Sequence, residues 1–279
     1  MSAHPQSATW SGRLRARRTA TGSAREGAAK AGLAARGVIY VLVGVLALRI
    51  AFGDGGRPAD RSGALQEIST KPFGAVLLWA LGAGVVGMAL WRLSEALFGA
   101  AGRDGHKAGK RLLSAARCLF YAFVAYSVLS FAAGAGGAGS GDAQSRDVTA
   151  KALGWPAGQW IVGAVGAGAV VAGVWIAARA VLRKYREDLK LGEMSRRTRM
   201  VVDTTGVVGG AARGLVFAAV GVFALQAAVD YEPDKAKGVD GALRSFSETP
   251  MGPSLLACVA AGLVLFGVFS CAMARWRKV

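Results

Sequence analysis

Three arginines open three apolar runs in the same way: Arg36-Gly37, Arg117-Cys118 and Arg213-Gly214. Four residues after each stands an aromatic (Tyr40, Tyr121, Phe217), and eight after it a small residue (Gly44, Ala125, Gly221). A guanidinium is planar, permanently charged and rich in N–H donors, so its natural partner is an anion. In or beside hydrocarbon, three of them would form a ring for an anion or a lipid phosphate. The competing account has each side chain snorkel to the membrane surface, or pair with a neighbouring helix end such as Glu95. A second polar triplet, Arg49, Ser130 and Gln226, lies thirteen residues further along each run. There Arg49 is expected to snorkel outward.

Other chemistry is thinly represented. His4 and His106 are isolated, leaving no His pair for a metal or a triad. Cys118, Cys258 and Cys271 sit in apolar runs without a Cys-x-x-Cys and read as small packing residues. Gly53-Asp54-Gly55-Gly56 and the glycines of 134–141 do not lead into a Gly-Lys-Ser/Thr phosphate loop. Asp203-Thr204-Thr205 is a lone acidic cluster. No Asp or Glu interrupts a run at mid-depth, which argues against ion-coupled transport. The expectation is no enzyme, no metal and no cofactor.

The elements that must position these groups are apolar runs at residues 38–48, 76–91, 119–135, 160–178, 214–229 and 255–274, none containing Asp, Glu or Lys. Each approaches the length of a bilayer crossing, the first and third with help from flanking residues. They are continuous and rich in Ala, Gly and Leu rather than alternating, so they read as helices. Between the members of each pair runs a polar linker closed by Pro-x-Gly: Pro72-Phe73-Gly74, Pro156-Ala157-Gly158 and Pro250-Met251-Gly252. The second run of each pair then carries glycines at Gly82/Gly87, Gly168/Gly173 and Gly262/Gly267, which let helix backbones approach.

The pattern predicts an all-α integral membrane protein: six transmembrane helices as three parallel helical-hairpin repeats with approximate internal threefold symmetry. Residues 1–24 are expected to be a disordered basic head. Repeat 1 is 25–102 (spans about 36–52 and 73–94) and repeat 2 is 103–182 (spans about 116–135 and 156–181). A basic connector takes 183–205, and repeat 3 is 206–279 (spans about 207–229 and 252–274). Because the glycine pairs recur in all three second helices, those helices are expected to pack centrally. Short surface helices are predicted from Ser62, Asp147 and Asp240. The fourth span is expected to run on through Arg183 and Arg186 towards Leu191, and Met194–Val202 to form a further short helix.

The formal charge is +17. The basic residues gather in the head, in the connections between hairpins and in the tail, while the hairpin loops are balanced or acidic. That is the positive-inside arrangement, placing both termini in the cytoplasm of a bacterial plasma membrane and excluding nucleic acid as a partner. Anionic membrane lipids on the cytoplasmic side are the expected partners, with a membrane protein as a second.

Ala35-Arg36-Gly37-Val38-Ile39-Tyr40, Leu90-Trp91-Arg92-Leu93-Ser94-Glu95, and Asp240-Gly241-Ala242-Leu243-Arg244 followed by Pro250-Met251-Gly252 resemble a bacterial membrane family, the domain-of-unknown-function family numbered 1206. The likeness runs from about Ala29 to Arg275. It implies six spans in paired-helix repeats and carries no catalytic residues. Repeat 2 departs most: Cys118 replaces the glycine, and no Gly-Ala-Leu precedes its proline. The functional expectation is a non-enzymatic scaffold or accessory membrane subunit, with a small anion-preferring channel or transporter as the alternative.

Overall fold

The computed structural model describes residues 7–53, 56–99, 108–134 and 139–277, with side chains from Glu26 onward. Its long helices are α1 (Ser7–Ala51), α3 (Gly74–Phe98), α4 (Ala108–Ala132), α6 (Gly158–Val181), α7 (Arg196–Val229) and α9 (Gly252–Trp276). Each holds a stretch long and apolar enough to cross a membrane. Shorter helices α2 (Arg61–Ser69), α5 (Gly141–Leu153) and α8 (Val239–Ser247) cap the three hairpins. This is an all-α integral membrane fold of three parallel hairpin repeats. Its hairpin end carries α2, α5 and α8; its connector end carries the links between repeats.

Local chemistry sets the boundaries. Gly53, at φ 92, stops α1 in the left-handed region open to glycine. At the first two Pro-x-Gly turns the middle residue is left-handed (Phe73 φ 62, Ala157 φ 63), and the next helix starts at the glycine. A Cβ on Gly158 would lie 2.0 Å from the Ala152 carbonyl, so only glycine lets the span start directly beneath the short helix.

Several boundaries differ from expectation. Helix α1 starts at Ser7 rather than near Arg25, since Ala and Arg favour helix throughout that stretch. Residues 1–6 and the side chains of 7–25 lie outside the described residues, and the rest of the disordered-head expectation lies with them. Helix α5 starts at Gly141, not Asp147, because Ser140 supplies a cap to the Ala143 N–H. Helix α6 ends at Val181 instead of running to Leu191: Arg183 is left-handed, and a 3-10 turn follows at Lys184–Asp188. Asp203 anchors that turn, accepting from Arg186 Nε at 2.9 Å, with the Tyr185 hydroxyl donating to the Asp203 carbonyl at 3.0 Å. Burial and the Asp203 carboxylate push the Tyr185 phenol up to about 12. Met194–Val202 is no separate helix; nothing breaks the chain after Arg196, and α7 runs through it.

The spans form an incomplete ring in the order α4, α3, α1, α9, α7, α6. Each second helix packs on the first helix of the following repeat: α3 on α4, α6 on α7, and α9 back on α1. Repeats 1 and 3 add an internal contact, α1 on α3 and α7 on α9; α4 and α6 have nothing comparable. The expected central packing of the second helices is therefore corrected. Their glycines face first helices, because there the opposing backbone is also bare: a Cβ on Gly267 would meet the Gly37 carbonyl at 2.7 Å, and one on Gly173 the Gly214 carbonyl at 2.6 Å. Gly82 faces Leu129, Gly87 faces Ala28, and Gly262 faces Ala212. Gly168 meets nothing within 4 Å.

Candidate functional site: a cationic cavity between the first helices

The repeat that places the arginines also builds what surrounds them. Tyr40, Tyr121 and Phe217 all line one cavity of about 390 Å³, and so do Val43, Val124 and Val220, seven residues after each Arg. The first helices α1, α4 and α7 thus supply an aromatic and an aliphatic layer in near-threefold order. Arg36 and Arg213 also line the cavity. They lie about 22 and 24 Å from the hairpin ends of α1 and α7, at about 1.5 Å per residue, so neither is at the hairpin-side surface of a core about 30 Å thick.

Arg213 is the better compensated. Its Nε donates to the Tyr40 hydroxyl at 2.9 Å, and its guanidinium carbon lies 4.9 Å from the Phe266 ring centre and 5.1 Å from that of Phe217. Arg36 is 5.3 Å from Phe266 and stands beside the Tyr121 hydroxyl, but its buried Nε has no hydrogen-bond partner. A charge at the centre of a span costs about 2.5–3.5 kcal/mol on the insertion scale, and less towards its end, where these two lie; a desolvated aromatic face returns about 2 kcal/mol. Arg213 meets three rings, whereas Arg36 meets one and keeps its Nε unpartnered, and the two charges also repel each other.

The third arginine behaves differently. Arg117 is exposed on α4 and does not line the cavity, so the expected ring reduces to a pair. Glu95, a proposed partner for these arginines, bonds Arg92 at 2.6 Å in a buried pair, with Ser114 Oγ 3.4 Å away. The second polar triplet does not converge here either. Arg49 pairs with Glu67 at 3.5 Å, Ser130 is half-buried and Gln226 is exposed, and none lines the cavity. Glu67 also takes Lys71 at 2.8 Å and Arg57; the Lys71 hydrogen bond, more than the nearby charges, holds its carboxyl below the ordinary 4.5.

At the hairpin end the cavity meets a second threefold arrangement. Asp60 Oδ2 accepts from the Gly141 N–H at 2.5 Å, Asp142 Oδ1 from the Gly238 N–H at 2.7 Å, and Asp240 Oδ1 from the Ala59 N–H at 2.6 Å. Repeat 1 holds repeat 2, repeat 2 holds repeat 3, and repeat 3 holds repeat 1. The cycle closes. A Cβ on Gly141 would lie 2.8 Å from Asp60 Oδ2, so the chain must be bare where the carboxylate docks. Beside it Arg61 stacks 5.5 Å from the Phe123 ring, its guanidinium lowered by burial against the opposing pull of Asp60.

Three segments, 31–99, 113–183 and 208–277, match the family described as Domain of Unknown Function (DUF1206). The chain belongs to the DUF1206 family. The matched segments coincide with the three hairpins, so the DUF1206 unit here is a hairpin with its short capping helix. The uncharacterized protein YxxB of Bacillus subtilis (strain 168) is 31% identical over 241 residues, 86% of each chain. No solved structure matches. In this DUF1206 chain the aspartate cycle escaped sequence reasoning, although Asp60 caps α2 and Asp142 and Asp240 lie beside a glycine in the first turns of α5 and α8, where carboxylates are favoured. His4, His106 and the glycines within 135–138 lie outside the described residues.

Proposed function

We propose that the protein is a non-catalytic membrane protein that binds an anionic group inside the bundle, between Arg36 and Arg213. One observation carries this reading: both guanidiniums turn into a shared cavity, and among the described residues neither has a carboxylate partner. Charge left uncompensated at this depth is costly, and a bound anion would offset it. The basic connections favour a cytoplasmic connector end in a bacterial cell, and with that orientation the pair would be reached from the inner half of the bilayer. The aspartate cycle across the hairpin end favours holding the anion over conducting it.

Purified protein titrated with inorganic phosphate should gain thermal stability, and Arg36→Gln/Arg213→Gln together should abolish the gain. No gain from phosphate or from an anionic lipid in the unmodified protein would end the reading. Anion flux into liposomes that disappears in Arg213→Ala would replace binding with a channel or transporter.

A scaffold or accessory subunit is the second reading, and α6 supports it. Only 17% of its apolar window is buried within the chain, against 50% for α3 and α9. Trp160, Val165 and Trp175 are exposed there, and Gly168 offers a bare backbone for another helix. Recovery of one membrane protein in fixed ratio, lost in Gly168→Leu, would favour it.

A further inference from the structure

The cavity is amphipathic, and its opening faces lipid. Its connector half holds Arg36, Arg213, Tyr40 and Tyr121, its middle is apolar, including Val43, Val124 and Phe131, and its hairpin end is polar again, with Asp60, Arg61 and Gln144. A free inorganic anion on the arginine pair has no use for the apolar middle. The ring of spans is also open on one side, because α4 packs closely on α3 but not on α6. Phe120 and Phe123 report where that opening leads. Both line the cavity, yet they are 56% and 48% exposed, so the inner wall passes round α4 to the membrane-facing surface without a closing helix.

The volume limits what fits. About 390 Å³ lies low in the range of about 300–1,000 Å³ for small-molecule sites. It can take a phosphate- or carboxylate-sized headgroup and the start of a chain, and the remainder must lie in the cleft or the bilayer. From these observations we propose that the ligand is an anionic amphiphile of the surrounding membrane, which enters sideways between α4 and α6, sets its headgroup on Arg36 and Arg213, and leaves its tail in the apolar cleft of repeat 2. The proposal rests on the anion-binding reading above and adds the ligand class and its route.

The charge argument and the cleft argument are independent. Two guanidiniums select a headgroup by sign and by hydrogen bonding. The side opening selects molecules that already reside in hydrocarbon, since an aqueous ion would have to shed its water to use it. Ser127, buried on α4 and lining the cavity, marks the wall where a larger side chain would obstruct the tail and leave the arginines untouched.

The test is native mass spectrometry of the full chain with dioleoyl-phosphatidylglycerol, dioleoyl-phosphatidylcholine or sodium phosphate as probe, with thermal unfolding to verify folding. Phosphatidylglycerol should bind at least about tenfold more tightly than phosphatidylcholine, and Arg36→Gln/Arg213→Gln should erase that preference. Ser127→Trp should weaken the lipid about tenfold and spare phosphate; if it fails to fold, Ser127→Leu serves the same purpose. Phosphate binding that needs both arginines, with no preference between the two lipids, overturns the amphiphile and leaves the anion reading standing. Absence of both ligands overturns both. Phosphatidylglycerol bound equally by the arginine double variant is lipid on the outer surface and overturns the site.

Discussion

Repeats 1 and 3 close on themselves, and repeat 2 stays open. The difference lies four residues before each arginine. Gly32 and Gly209 occupy that place in the outer repeats, where a Cβ would lie 2.5 Å from the Met88 Cβ and 2.4 Å from the Phe266 nitrogen. The second helix therefore rests directly on the backbone of the first. In repeat 2 the residue is Leu113, 50% exposed, and its isobutyl group holds any partner away. Cys118 and Ala125 replace the glycines by which α1 and α7 seat α9 and α6, but that is the seam between repeats, and there α3 still packs on α4. One hairpin plan thus yields two packed pairs and one parted pair, and the parted pair leaves the cavity its side opening. Arg117 shares the asymmetry: it is exposed on α4 and does not line the cavity.

The comparison can be broken most forcefully at Gly209. Gly209→Leu should cost about 3 kcal/mol or more, since overpacking a backbone-to-backbone contact cannot be relieved by one rotamer change. Leu113→Gly, at the equivalent place in repeat 2, should shift unfolding by no more than about 1 kcal/mol, the helix-propensity cost of glycine alone. Unfolding in detergent under increasing denaturant measures both, and equal losses would remove the reason given for the gap.

The next largest effect belongs to the aspartate cycle, which binds the open repeat to the closed ones. Asp60 accepts from Ser62, Gly63 and Gly141, so Asp60→Ala should cost about 2 kcal/mol, combining a lost cap with a lost inter-repeat bond. Amide exchange should quicken at Gly141 on a different repeat from the substitution. Faster exchange confined to α2 would mean that the cycle does not couple the repeats.

The smallest effect is expected at Glu67 in repeat 1. Its folded-state carboxyl lies below 4.5, so its contribution is present above that value and fades as pH falls through the lowered one. Glu67→Gln should flatten the melting temperature between pH 5 and pH 3 on the order of a degree or two. An unchanged slope would place the acid sensitivity elsewhere.

Much of this was legible beforehand. The spacing Arg–aromatic–small marked the first helix of each repeat, and Pro-x-Gly marked where the second began. The glycine pairs showed that helices would approach closely, but not which ones, because a bare helix face is the same whether its neighbour belongs to its own repeat or the next. The arginine triplet was legible as a set and misleading as a ring. Asp240 read as the start of a short surface helix and not as an acceptor, since that role depends on the Ala59 N–H, far away in sequence.

The order of residues by itself determined six membrane crossings, their pairing into hairpins and the recurrence of one plan, because hydrophobic length, helix termini and turn chemistry are local. Tertiary structure alone decided that the first helices surround the cavity, that two arginines of the triplet line it while the third does not, and that repeat 2 is parted. Those outcomes depend on which bare backbone meets which across the ring, and contacts of that kind are made between residues too distant in the chain to leave a local signature.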